Sequence, residues 1–218
     1  GIYFNEDMSP GINSEAGYKA LENFKASLKN APLGVLGFFY VELKTAFLED
    51  QIAMTEQWQC VGRWSEDPSV SKIVGKVDYA MVPGAIIDGK LHRRPTLPCG
   101  FVHVIPKTGK NPEATYVFMK WYSEEYSINY VTDKLSGADM FRHWHYEVER
   151  WKAVKRDWDA NYPDDPNHTA KYLKTCYESA KIGYPDLRIP GSAEYMDLLD
   201  LYVSKANAGE MDVEKALD

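Results

Sequence analysis

QIAMTEQWQCVGRW, residues 51–64, is the stretch whose reading decides the fold. Ile52, Ala53 and Met54 form a short apolar run behind an amphipathic segment. That pattern predicts a buried strand, with Thr55 to Trp64 emerging as an aromatic loop at its carboxyl end. In open α/β sheets ligands sit at that end. Trp58 offers a flat apolar face, and Glu56, Gln57, Gln59 and Arg63 offer hydrogen-bond partners. A polar molecule with apolar C–H faces, such as a sugar, needs both kinds of contact. An isolated tryptophan more often packs under a loop than meets a ligand, so the neighbouring signals decide between the two.

Composition narrows the field. The 218 residues suffice for one large or two small domains, and 44% apolar with 26% charged residues is the balance of a soluble globular protein. No window approaches the ~18 uninterrupted apolar residues of a membrane span. A net charge of −7 and a pI near 5.3 argue against nucleic acid or anionic lipid as partners, because both need a positive field. Fifteen Tyr and six Trp are the side-chain stock of carbohydrate handlers, and equally of an aromatic core. Cys60, Cys99 and Cys176 lack the spacing of a zinc site or a CxxC pair. A bridge between Cys60 and Cys99, both in predicted loops, is open if the protein is exported. The chain starts at Gly1 without a Met and stops at Asp218 barely a turn into a new helix, so both ends read as cuts through a longer protein.

Working outward, Ser14 to Asn30 places Tyr18, Leu21, Phe24 and Leu28 at helical spacing behind a serine N-cap, and Pro32 and Gly34 break that helix. A second helix is predicted over 38–50. Residues 72–83 alternate Val77, Tyr79 and Met81 toward one face, a strand closed by Pro83-Gly84. Residues 85–98 read as a polar connection, and 100–105 as a third strand. Asn111-Pro112-Glu113 has the cap, N1 proline and acidic first turn of a helix start. A short helix is expected over 123–133 and one long amphipathic helix over 139–161. Further helices are expected over 169–181 and from about Tyr195 to Asn207, the last stopped by Gly209, with Asp212 as the cap of a final helix.

Six stretches in this order resemble the second half of extracellular solute-binding proteins of ABC importers, the maltose-binding-protein-like group. They are INSEAGYKAL from residue 12, FLEDQIAMTEQW at 47–58, GKVDYAMVPG at 75–84, PCGFVHVIPKTGKNPEATYVFMKW at 98–121, GADMFRHWHY at 137–146 and IPGSAEYMDLLDLYVSKANAGEMDVEKALD at 189–218. The resemblance implies an α/β fold of the periplasmic-binding-protein-like II class, here a helix-rich C-terminal portion with most of the N-terminal lobe absent. It implies three segments: 1–97 in the C-terminal lobe, 98–133 returning to the N-terminal lobe, and 134–218 as helical C-terminal-lobe structure. A sugar, oligosaccharide or polyol would be captured in the cleft by hinge closure and delivered to membrane permease subunits, without chemistry and without a cofactor. The implied ligand residues are Glu56, Gln57, Trp58, Arg63, Gly100, Phe101 and Tyr195. Cys99-Gly100-Phe101 stands where the group usually has Gly-Gly-Trp, which makes the stacking ring there smaller. The implied location is periplasmic or extracellular, free or lipid-anchored, with no direct membrane insertion.

Other constellations are weaker. His143 and His145 are two apart, so on a helix they face different ways and cannot chelate one metal together. Glu124-Glu125, Glu147-Glu149 and Asp164-Asp165 supply carboxyl pairs of the kind a glycosidase needs, which keeps a secreted carbohydrate-active enzyme as the alternative. Asn167-His168-Thr169 fits a glycosylation sequon. Trp144, Trp151 and Trp158, spaced by seven, would lie on one side of a helix, as a partner surface or as core.

Overall fold

The computed structural model describes residues 3–95, 102–124, 126–134 and 136–218. Its elements are α1 (Glu15–Ser27), α2 (Tyr40–Leu48), α3 (Gln59–Ser65), β1 (Ala85–Ile87), β2 (Lys90–His92), α4 (Pro112–Ser123), α5 (Ser127–Thr132), α6 (Val148–Ala153), α7 (His168–Lys181), α8 (Ser192–Ala208) and α9 (Val213–Leu217), with short 3-10 turns between them. They fall into two compact units. One comprises Gly1–Ala46, Gln51–Ala53 and Asp186–Asp218, the other Phe47–Asp50 and Met54–Pro185.

In the first unit Ser14 holds extended backbone and its hydroxyl accepts the Gly17 N–H, which starts α1 where the sequence places it. Glu15 in the first turn and Lys25 in the last complement the helix dipole. The buried face of α1 meets α8 and α9 through Leu21, Ala206, Ala216 and Leu217, with Tyr18, Leu199 and Val203 packed around them. Gly209 ends α8 at φ +80°, a left-handed turn that glycine makes without a Cβ clash. Asp212 precedes α9, though its side chain makes no capping bond.

The second unit is built on an aromatic core of Val131, Met140, Trp151, Trp158, Tyr172 and Leu173. The predicted long helix over 139–161 is not there. The chain instead makes a 3-10 turn at His143–Tyr146, then α6, then a second 3-10 turn at Asp159–Asn161. Lys155 adopts φ +55° and the Arg156 N–H bonds the Trp151 carbonyl, so α6 is closed by a left-handed cap and the chain reverses. That reversal, not a shared helix face, brings Trp151 and Trp158 edge to face with centroids 5.8 Å apart. Both are core, and they form no partner surface.

Three predicted strands also fail to form among the described residues. At 51–55, Asp50 takes φ +63° and the Gln51 N–H turns back to the Ala46 carbonyl, closing α2 instead of extending it. Met54 is consequently 86% exposed. At 72–83 the alternation is real, with Val77 buried, Tyr79 and Met81 half-buried and Asp78 and Ala80 exposed. No ladder accompanies it, because the Val77 N–H goes to the Tyr162 hydroxyl at 3.0 Å. Of the expected strand 100–105, residues 100 and 101 lie outside the described residues, and 102–105 have no strand partner among the described ones. A strand exists only where neighbouring backbone completes its hydrogen bonds. The expected polar connection at 85–98 contains the hairpin β1–β2, paired Ala85↔His92, Ile86↔Leu91 and Ile87↔Lys90. Asp88 and Gly89 both have positive φ, the signature of a two-residue type I′ turn. Asn111-Pro112-Glu113 does open α4, but its apolar stripe is uncovered: Val117, Phe118 and Trp121 are 66%, 55% and 42% exposed.

Candidate functional site

Trp58 stands at the N-terminus of α3 with extended backbone (φ −62°, ψ 152°) and half its surface exposed. The side-chain oxygen of Gln57 accepts its N–H at 3.2 Å, and Glu56 beside it is exposed. The indole cannot accept a hydrogen bond, so α3 has no cap from its own N-cap side chain. Its first turn is tied from elsewhere. An Asp139 carboxylate oxygen takes the Cys60 N–H at 2.8 Å, and the Tyr172 hydroxyl donates to the Gln59 carbonyl at 2.8 Å. Asp139 is largely buried, which raises its pKa despite the Cys60 N–H and the nearby Arg63 charge. Sequence reading singled out neither Asp139 nor Tyr172.

Arg63, expected among the ligand residues, has a different job. It is 5% exposed, and its guanidinium donates to the carbonyls of Val131, Ala138 (2.9 Å) and Ser136 (2.7 Å). It braces α3 against the end of α5 and the segment beyond it. One turn on, Glu66 is equally occupied, accepting from the Tyr162 hydroxyl at 2.5 Å, the Asn161 amide at 3.1 Å and the Gly75 N–H at 3.3 Å. A recess of about 290 Å³ lies at this end of α3, lined by Arg63, Asp67, Lys134, Arg156 and Trp158 among others, and Trp58 is not part of it. Asp67 uses one oxygen on the backbone and hydroxyl of Ser69 and lies 3.8 Å from Lys134.

Close packing fixes α3 along its length. A Cβ on Gly62 would lie 2.5 Å from Tyr172 Cε2 and 3.2 Å from Tyr79 Cε1, both held in the core. Gly62→Ala gains about 1 kcal/mol of helix propensity but overpacks at a typical cost of 1–3 kcal/mol. We expect a net loss of about 1 kcal/mol, read as a lower midpoint in urea; a raised midpoint would contradict this packing.

Tyr195, in the other unit, lies near the start of α8 with its ring against Tyr3 and Phe4 at 5.9 and 4.8 Å. Its hydroxyl is buried with no hydrogen-bond partner among the described residues, and burial raises its pKa. Gly100 and Phe101, like Cys99, lie outside the described residues. Cys60 is buried at the start of α3 and its thiol also reaches Asp139. Among the described residues no group of three or more His, Cys, Asp or Glu is arranged to hold a metal.

His145 is fully buried, while His143 beside it is exposed. Its Nδ1 accepts the Phe141 N–H at 3.3 Å, so the neutral ring carries its proton on Nε2 and donates to Ser127 Oγ at 2.9 Å. Burial, with Arg142 and Arg150 nearby, lowers its pKa to about 4. The unfolded chain takes up this proton near pH 6.5 and the folded one only near 4. Its contribution is therefore complete above pH 6.5 and is lost as pH falls toward 4, on the order of 3 kcal/mol. Denaturant titrations at pH 7.5 and 4.5 check this: His145→Gln should narrow the wild-type difference, and an unchanged difference would refute it.

Of the carboxyl pairs considered for glycoside chemistry, Glu124, Glu147, Glu149 and Asp164 are exposed and Asp165 is half-buried; Glu147 pairs with Arg150 at 2.9 Å, an Asp165 oxygen lies 3.1 Å from His168 Nδ1, and Glu125 lies outside the described residues. No helix among the described residues is long and apolar enough to cross a membrane.

No protein-family model and no curated protein matches this chain. Solved structures do. An ABC-transporter solute-binding protein from Agrobacterium radiobacter K84, in complex with ribitol, superposes with a TM-score of 0.71 at 21% identity, covering 100% of this chain and 51% of that one. Maltose-bound T. maritima MalE3 gives 0.72 at 17% identity, over 100% and 51%. A solute-binding protein from Agrobacterium vitis S4 with bound D-mannitol gives 0.66 at 18%, over 100% and 52%. The chain spans about half the length of these structures. Along its whole length, therefore, it carries the fold of roughly half of an ABC-transporter sugar or polyol solute-binding protein.

Proposed function

We propose that this chain is the C-terminal portion of a solute-binding protein that captures a sugar, oligosaccharide or polyol and hands it to the permease of an ABC importer, outside the cytoplasmic membrane. The observation that carries the proposal is a half-exposed Trp58 on a braced helix, in a chain whose full length follows the fold of three proteins holding ribitol, maltose and D-mannitol. An indole face stacks on C–H surfaces, while Glu56 and Gln57 beside it offer acceptors and donors for hydroxyls. Gly100, Phe101 and Tyr195 complete the proposed ligand set. Arg63 supports it from behind by bracing α3.

The uncovered stripe of α4 fits the same reading. Val117, Phe118 and Trp121 form a helix face that water covers poorly, and the segment 98–133 would lay it against the other lobe. The segments 1–97 and 134–218 would form the lobe that carries Trp58. The work of such a protein is capture by closure, with no bond made or broken. Calorimetric titration of the intact protein with ribitol, D-mannitol and maltose tests the proposal. Saturable binding of at least one supports it; no binding of any would count against it, and turnover of a glycan abolished by changing one carboxylate would favour the enzyme instead.

A further inference from the structure

We infer that Asp139 and Tyr172 act as a two-sided clamp on the first turn of α3, and that they are positioning residues for Trp58. The inference rests on Trp58 being a ligand residue. In an ordinary helix start the N-cap side chain accepts the N–H of the second or third helical residue. Here the N-cap residue is Trp58, which cannot, and the donor left over is the Cys60 N–H. Asp139, 79 residues further along the chain, supplies the missing acceptor at 2.8 Å. A carboxylate serves this end of a helix well, since it also opposes the positive end of the dipole.

The second jaw closes on the opposite polarity of the same turn. The Tyr172 hydroxyl donates to the Gln59 carbonyl, and its ring edge lies against Gly62. That ring is 1% exposed and packs edge-on to both Trp158 and Trp151. Asp139 is rooted beside buried Met140, whose carbonyl accepts the Tyr146 hydroxyl at 3.1 Å; that hydroxyl in turn lies 3.5 Å from the Gln59 amide. Two elements of the aromatic core thus hold one short helix by one N–H and one C=O. A short helix fixed this way presents Trp58 without an ordering cost at the moment of binding, which is how preorganised sites gain affinity.

Asp139→Ala and Tyr172→Phe test the clamp in the intact protein. The readout is the heteronuclear NOE of the Trp58 indole N–H, assigned by its loss in Trp58→Ala. In both variants the Trp58 value should fall while those of Trp151 and Trp158 stay at wild-type levels, and Asp139→Asn, which keeps an acceptor, should restore part of it. Affinity for whichever of ribitol, D-mannitol or maltose the wild type binds should fall about 5- to 20-fold in each, since each loses one ordering contact. Tyr172→Phe removes a single oxygen and decides the matter if Asp139→Ala does not fold. Wild-type order at Trp58 in Tyr172→Phe, or in an Asp139→Ala variant that folds, would overturn the clamp. If none of the three ligands binds, the ligand reading fails alone, because the NOE still reports on the clamp.

Discussion

Arg63→Ala is expected to lower the unfolding free energy by about 3–5 kcal/mol, a large share of the 5–15 kcal/mol that holds a typical domain together. The size follows from the role of the guanidinium. It is buried, and its terminal nitrogens serve the carbonyls of Val131, Ser136 and Ala138, which come from the end of α5 and the segment leading to Asp139. Truncation leaves three largely buried acceptors without the donor that serves them, and each such group costs about 1–3 kcal/mol. It also opens a cavity beneath the segment that carries the clamp carboxylate. Arg63→Lys should recover only part of the loss, because one ammonium cannot span the three carbonyls that a planar fork reaches. Urea unfolding followed by tryptophan fluorescence measures this directly. A loss below about 1 kcal/mol would mean that water reaches those carbonyls and that Arg63 is free to serve a ligand after all.

Arg63 also shows where sequence reading reaches its limit. Its position near Trp58 was legible, but whether an arginine faces solvent or turns inward depends on which carbonyls lie 68 to 75 residues away. No local pattern encodes that. Asp139 escaped notice for the same reason, since its partner Cys60 is distant in sequence. Helices fared better because their signals are local. Ser14, Asn111-Pro112 and Gly209 each mark an end that the structure keeps. Of the long helix expected over 139–161 only α6 forms, behind a 3-10 turn at His143–Tyr146, and it ends where Lys155 enters the left-handed region, a step no composition rule flags for lysine. Strands were the poorest guide. Residues 72–83 have the period of a strand, but a strand is a property of two segments, and the alternation says nothing about the second. The hairpin, in contrast, has a local signal that outweighs the polar reading of 85–98: Asp88-Gly89 between Ile87 and Lys90, with apolar Ile86 and Leu91 opposite each other, is a strong short-range turn signal.

Trp58→Ala is the second large effect expected. Ligand affinity should fall by about 2–3 kcal/mol, roughly 30- to 150-fold, the range for removing an aromatic anchor from a binding surface. Stability should barely change. The indole is half exposed, whereas Trp151 and Trp158 are buried, so truncation at 58 opens no core cavity. This separation of binding from stability is what distinguishes a ligand platform from a packed side chain. An indole that merely covered the loop would show the reverse, with a lower melting temperature and unchanged affinity.

The most direct measurement is therefore a paired calorimetric titration of the intact wild-type protein and Trp58→Ala with ribitol, D-mannitol and maltose, each preceded by a melting curve. The account predicts saturable wild-type binding of at least one of the three, weakened at least 30-fold in a variant that melts within about 2 °C of wild type. Equal affinity in the two proteins would contradict it.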